Sequence, residues 1–210
     1  MTARRAVGRR CGGAVLAASL LCSGCVGGVD AGPVAPAPGW RTVATSADRV
    51  RLRQWRLAWT TALASARVAD PAAIAADPAL YDPDLALPGA MPPPGDYRCR
   101  TVKLGHRGAT GLGHVAFPFF TCRVGSDGTL EKRDGPQRQV GRLFGDTGGR
   151  AVFLGTLVFG DEARAMAYGR DEGRDVIGLV ERIGPARWRL TMPLPHFESQ
   201  LDVMELVPAR

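Results

Sequence analysis

Residues Gly95–Val124 read GDYRCRTVKLGHRGATGLGHVAFPFFTCRV, and the pairing they imply decides the fold. Two runs rich in strand-forming residues, 96–104 and 115–124, flank a glycine-rich stretch from Gly105 to Gly113. That pattern predicts two strands joined by a hairpin. With a tip centred near 110–111, cross-strand partners have residue numbers that sum to 221, and Cys99 and Cys122 give that sum. The two cysteines are therefore expected directly opposite one another, at a non-hydrogen-bonded pair where the backbones are closest, joined as a disulfide. Closing this loop stabilises by roughly 3 kcal/mol on chain-entropy grounds. The same register sets Tyr97 opposite Val124 and Thr101 opposite Phe120 on the cysteine face. On the other face Arg98 meets Arg123, with Arg100 beside them. Like charges so placed repel. That face is either an anion or lipid-headgroup site, or a solvated wall supplied with acids by neighbouring strands.

Downstream of the hairpin the grammar remains that of strands and turns. Further strands are expected at 129–133, 138–144, 150–159, 175–183, 186–192 and 201–207. Ser126-Asp127-Gly128, Gly145 to Gly149 and Gly184-Pro185 mark the turns between them. About eight short strands with hairpin-length connections predict an antiparallel sheet, barrel-like in the manner of lipocalins, with a sandwich as the alternative. Strand 150–159 (RAVFLGTLVF) is apolar on both faces. One face lines the core, and the other, with Phe153, Leu157 and Phe159, needs a cover. Gly155 would permit a close approach.

The cover is sought upstream. Residues from Thr45 to about Val68 place Leu52, Trp55, Trp59, Leu63 and Ala66 on one helical stripe. Thr45 and Asp48 have the spacing of a capping box. Asp70-Pro71 starts a second, short helix through Ala76. Asp77-Pro78, Asp82-Pro83 and Pro92-Pro93-Pro94 break regular structure. The fold class is therefore α+β: an N-terminal helix packed on an antiparallel sheet of about eight strands with one disulfide.

The first 39 residues do not belong to that domain. Arg4, Arg5, Arg9 and Arg10 precede a run of about ten apolar residues from Gly12 to Leu21, too short for a membrane span, and then Cys22-Ser23-Gly24-Cys25. This is the order of a bacterial lipoprotein signal peptide, 1–24, with Cys25 as the lipidated residue. Cys22 stands where such signals usually carry Leu, which leaves cleavage into a soluble secreted form as the alternative. Val26 in place of Asp favours the outer membrane over inner-membrane retention. Residues 25–39 are rich in Gly, Pro and Ala and read as a tether, leaving one domain at 40–210, helical over 40–94 and β over 95–210. The 27 basic residues fall to 23 when the four leader arginines are set aside, against 20 acidic ones, a net charge of +3. That balance gives no reason to expect nucleic acid. With Cys11 and Cys22 in the leader and Cys25 on lipid, Cys99 and Cys122 are left as a pair for an oxidising periplasm.

No nucleophile elbow, phosphate loop or zinc-protease motif occurs. Cys99, His106, His114 and Cys122 have the composition of a zinc site. The histidines, however, lie near the hairpin tip and the cysteines near its base, roughly 20 Å apart. His196-Phe197-Glu198 sets an imidazole near a carboxylate, and an enzyme would draw on Asp171, Glu181 or His196. The longest polar connection, 160–173, offers Tyr168, Arg170 and Asp171 as an aromatic face, a planar cation and an acceptor at one end of the barrel. Those three residues are the expected ligand or partner site. No metal and no cofactor are expected.

A set of stretches carries a family resemblance: Arg51-Leu52-Arg53 with Trp55-Arg56 and Ala58-Trp59, Gly95 to Arg100, Phe153 to Leu157, Tyr168 to Asp171, Glu181 to Leu190, Phe197-Glu198-Ser199 and Leu201-Asp202-Val203. Together, over roughly 40–208, the chain resembles small proteobacterial envelope proteins known as domain of unknown function 4893. The resemblance implies an envelope location and supplies no activity. The function expected is a non-enzymatic binding or accessory module, held to the membrane by its lipid and taking a small apolar ligand or an envelope protein. The alternatives are a protease-inhibitor-like partner-binding protein and an enzyme of unstated class.

Overall fold

The computed structural model describes residues 38–108 and 111–209. The leader, most of the tether and Cys25 lie outside the described residues. Strands β1 (Gly95–Leu104), β2 (His114–Ala116), β3 (Phe120–Val124), β4 (Thr129–Lys132), β5 (Gln137–Thr147), β6 (Arg150–Phe159), β7 (Asp175–Gly184), β8 (Arg187–Pro193) and β9 (Leu201–Pro208) form one antiparallel sheet. The sheet is a closed barrel: β9 returns to β1 along a ladder from Leu104↔Leu201 to Tyr97↔Pro208. Closure removes the exposed edges that an open sheet would carry. β1 and β3–β9 make the eight staves. Short β2 is added to the C-terminal half of β1, beyond the reach of β3.

The hairpin register differs from the expected one by two residues. Cys99 stands opposite Phe120 and Cys122 opposite Tyr97. The Cys99–Cys122 disulfide forms on the diagonal, with a Cα–Cα distance of 5.8 Å. The cause is Phe117-Pro118-Phe119, which divides the expected second strand into β2 and β3. Pro118 has no N–H to give a ladder. A shift of two keeps every side chain on its face, so the bridge survives the error. The arginine contact does not: Arg98 faces Thr121, while Arg123 faces Asp96 and pairs with it at 2.9 Å. Arg98 and Arg100 lie over the Phe119 ring, and Arg100 Nε donates to Glu205 at 2.5 Å. Neighbouring strands thus supply the acids that this wall requires.

Inside the barrel, Tyr97, the disulfide, Leu130, Phe153, Leu157, Trp188 and Met204 share one apolar cluster. Phe153 and Leu157 are therefore interior, contrary to the expectation that their face needed a cover. The face that the helices cover carries Val152, Leu154, Ile177 and Leu179, against Leu52 and Trp55. Parity explains the reversal, since inward positions of β6 are those that pair with inward Leu143 and Gly141 of β5. Gly141 and Gly155 meet across that ladder. A Cβ on Gly141 would lie 2.2 Å from the Leu154 carbonyl oxygen, so only glycine fits there.

Helices α1 (Trp40–Val43), α2 (Ser46–Arg53), α3 (Trp55–Ala69), α4 (Pro71–Ala76) and α5 (Pro78–Tyr81) wrap the outside. The single helix expected over 45–68 divides at Gln54, whose N–H tightens the turn onto Arg51 O. Thr45 caps α2 by accepting from Asp48 N, but the Asp48 carboxylate does not return the bond as a capping box would. It accepts from Arg51 and from the Tyr168 hydroxyl, and Thr45 N donates to that hydroxyl instead. Asp77-Pro78, expected to break regular structure, starts α5 with Asp77 accepting from Leu80 N. Buried Arg189 fastens the wrap to the wall. It pairs with Glu181 at 2.7 Å, donates to the carbonyls of Asp82 and Leu85, and lies over the Trp59 ring.

Candidate site at the barrel mouth

Successive inward positions of β1 change character along the strand. Tyr97 and Cys99 are apolar, Thr101 and Lys103 are polar, and all four are buried. The ends of β4 and β5 at the same mouth add Lys132, Gln137 and Gln139, while Asp202 of β9 stands behind Lys103. Together they turn one end of an apolar barrel into a polar cleft of about 270 Å³, lined also by Phe117, Phe120, Pro136 and Glu198.

Lysine usage sharpens the assignment. The chain has 25 arginines but only two lysines, Lys103 and Lys132, and both line this cleft. Each is less than one-tenth exposed. Lys103 Nζ pairs with Glu198 Oε2 at 2.9 Å and with Asp202 Oδ2 at 3.5 Å, and donates to Gln137 Oε1 at 3.3 Å. Lys132 Nζ donates to the Gln137 backbone carbonyl at 2.9 Å and lies 4.1 Å from the Phe120 ring centroid. Gln137 thus joins the two amines through different oxygens. Burial pushes the Lys132 amine down to about 8, against the pull of Asp134 and Asp202 and with Lys103 and Arg138 adding repulsion. Burial pushes the Asp202 carboxyl up, against the pull of Lys103.

Two further groups of the cleft are unsatisfied. Thr101 Oγ1 and Gln139 Oε1 are buried and have no hydrogen-bond partner among the described residues. A buried polar group without a partner is destabilising by about 1–3 kcal/mol. Two of them in one cleft therefore need a reason. The rim is strained as well: Leu194 and Glu198 take left-handed backbone angles, φ 48° and 66°, uncommon for residues with a side chain. Such strain collects at working sites. Here it holds Glu198 over Lys103 while leaving its side chain 61% exposed at the opening.

The residues singled out in the sequence lie elsewhere or near by. The 160–173 connection leaves the barrel at this same rim, since Phe159 pairs with Gln137 and packs edge-on to Phe197 at 5.6 Å. Within the loop, the Tyr168 hydroxyl is committed to Asp48 at 2.6 Å, and burial, together with that bond, pushes its pKa up. Asp171 accepts from Gly173 N and stands 3.4 Å from Arg174 Nε. Arg170 is exposed. Of the His196-Phe197-Glu198 motif, Glu198 reaches the cleft. His196 lies against the interior with Nε2 buried and unpartnered, and burial lowers its pKa. The zinc constellation does not assemble: its cysteines are bonded to each other, His114 Nε2 lies 3.1 Å from the Tyr81 hydroxyl, and His106 Nδ1 lies 2.8 Å from Gly108 O.

Fold and mouth define a small closed antiparallel β-barrel with a filled apolar interior and an open polar end. The chain belongs to the family described as domain of unknown function (DUF4893), whose model matches residues 40–206. No curated protein and no solved structure matches it.

Proposed function

We propose that this protein is a binding module of the bacterial envelope, anchored by lipid on Cys25, and that its barrel mouth holds a small polar organic ligand. The observation that carries the binding role is the convergence of both lysines with two unsatisfied buried oxygens, Thr101 Oγ1 and Gln139 Oε1, in one cleft. A ligand with a hydrogen-bond donor and an acceptor would satisfy those oxygens, and Phe117 and Phe120 offer surface to its apolar part. Because the interior beneath is filled by side chains, the ligand would be limited to the cleft rather than swallowed by the barrel. The anchor is supported by the arginine-rich leader, its short apolar run and the small residues before Cys25.

Native mass spectrometry of the protein purified gently from its own envelope tests both halves. The expected spectrum shows acyl chains on Cys25 and a retained small molecule that is lost from Thr101→Val. A chain without lipid overturns the anchor. A bare chain, or a retained mass indifferent to Thr101→Val and Gln139→Leu, overturns the binding role.

A further inference from the structure

We infer that Lys132 is a nucleophilic amine that captures small aldehydes entering the barrel mouth, as imines. The inference rests on the mouth being the ligand site and goes beyond it in naming the reacting atom and the class of ligand.

The first ground is residue choice. In a chain that meets nearly every need for a cation with arginine, lysine stands only here. An amine can shed its proton and attack a carbonyl carbon, and a guanidinium cannot. The second is placement. Lys132 Nζ is held by one carbonyl oxygen and one aromatic face, with no carboxylate in hydrogen-bond contact among the described residues. Lys103, by contrast, is bound to Glu198 and Asp202. One amine thus has no carboxylate bonded to it, although Asp134 and Asp202 pull on its proton from farther off, and the other is a paired cation in the same cleft. The third is room: Gly135, at φ 86°, packs beside the amine, where a Cβ would come within 3.3 Å of Nζ and 3.0 Å of the Phe120 ring. With its pKa near 8, about a quarter of the Lys132 amine is neutral at pH 7.5, against roughly one part in a thousand for an ordinary lysine.

The step balances without an oxidant or reductant. The neutral nitrogen forms a bond to the aldehyde carbon, the carbonyl π pair moves to oxygen, and one nitrogen proton passes to that oxygen to give the carbinolamine. Loss of water, with a second proton delivered to the departing oxygen and the remaining nitrogen proton shed, leaves the neutral C=N bond. Lys103, the paired cation of the same lining, would supply the one proton and take back the other. Thr101 Oγ1, unpartnered and in the same lining, would bond the oxygen before it leaves.

Propanal with sodium cyanoborohydride, which fixes an imine as a secondary amine, is the test. The chain has two lysines, so the result is read directly by intact mass and peptide mapping. Under limiting propanal the expected product carries one propyl group, on Lys132, and its rate rises with pH to a midpoint near 8. Lys132→Arg should lose this product, while the fold is checked by circular dichroism. Labelling that falls on Lys103 or the amino terminus, or a rate that follows an ordinary lysine with no inflection near 8, overturns the inference. A retained native ligand together with an unreactive Lys132 overturns the imine but leaves the binding site standing; loss of both overturns both.

Discussion

Arg189→Met should unfasten the helical wrap from the barrel. Arg189 is 0% exposed and its guanidinium meets Glu181 through Nε at 3.0 Å and Nη2 at 2.7 Å. It also donates to Asp82 O at 2.5 Å and Leu85 O at 2.9 Å, the segment that carries the chain from α5 toward β1. Methionine fills much of the volume and provides none of these bonds. Glu181 keeps one partner, Arg150 Nε at 2.9 Å, so its charge is not fully stranded. Breaking a buried pair by removing one partner is destabilising by about 3–5 kcal/mol, and the carbonyls left behind hold the figure within that range. With a urea m-value of ~2 kcal/mol/M, the unfolding midpoint should fall by about 1.5–2.5 M. Arg189→Met/Glu181→Met should recover about 1–3 kcal/mol of the loss, because the buried carboxylate left with Arg150 alone is gone. A single variant within 1 kcal/mol of the parent protein, or a double variant that loses the sum of the two singles, would refute the clamp.

Three other outcomes follow from the packing. Lys132 is pushed from 10.5 to about 8 by folding, so between those values the unfolded chain holds a proton that the native chain has released. Stability should therefore rise with pH across that window, by up to about 1.4 kcal/mol per unit. The stability of the parent protein relative to Lys132→Met should rise by the same amount across that window, and parallel pH curves would contradict the assignment. Replacing both Cys99 and Cys122 by alanine should lose roughly 3 kcal/mol in the same urea titration, and a loss under about 1 kcal/mol would show that the diagonal bridge constrains little. Gly141→Ala forces a Cβ to 2.2 Å from a backbone oxygen, whereas Gly148→Ala meets nothing within 4 Å. The first should lose more than about 3 kcal/mol and the second less than about 0.5, and equal effects would place the β5–β6 contact elsewhere.

The strands were legible because their boundaries are chemical. Turn dipeptides such as Asp127-Gly128 and Gly184-Pro185 stop each apolar run close to where the ladder stops. Closure was not legible, since it depends on β9 reaching back to β1, a pairing of residues about a hundred positions apart that no local pattern encodes. The hairpin arithmetic gave the correct disulfide from an incorrect register, because a symmetric loop says nothing of the interruption at Pro118. Face was conserved where register was not. The mouth was missed because Lys103, Lys132, Gln139 and Asp202 meet only once the barrel closes. A signal was nevertheless present: Lys103 lies four residues beyond Cys99, on the same face of one strand, and the only other lysine stands on a strand of the same hairpin series. Tyr168 stands out in the sequence by its loop and its ring, and the structure gives its hydroxyl to Asp48.

A polar mouth that holds a ligand should be occupied in protein taken from its native surroundings. A high-resolution crystal structure of the protein purified from its own envelope tests this most directly. Continuous non-protein density is expected in the cleft between Lys103 and Lys132, within hydrogen-bond distance of Thr101 Oγ1 and Gln139 Oε1. Ordered water satisfying both oxygens, with Lys132 in contact with nothing else, would contradict it.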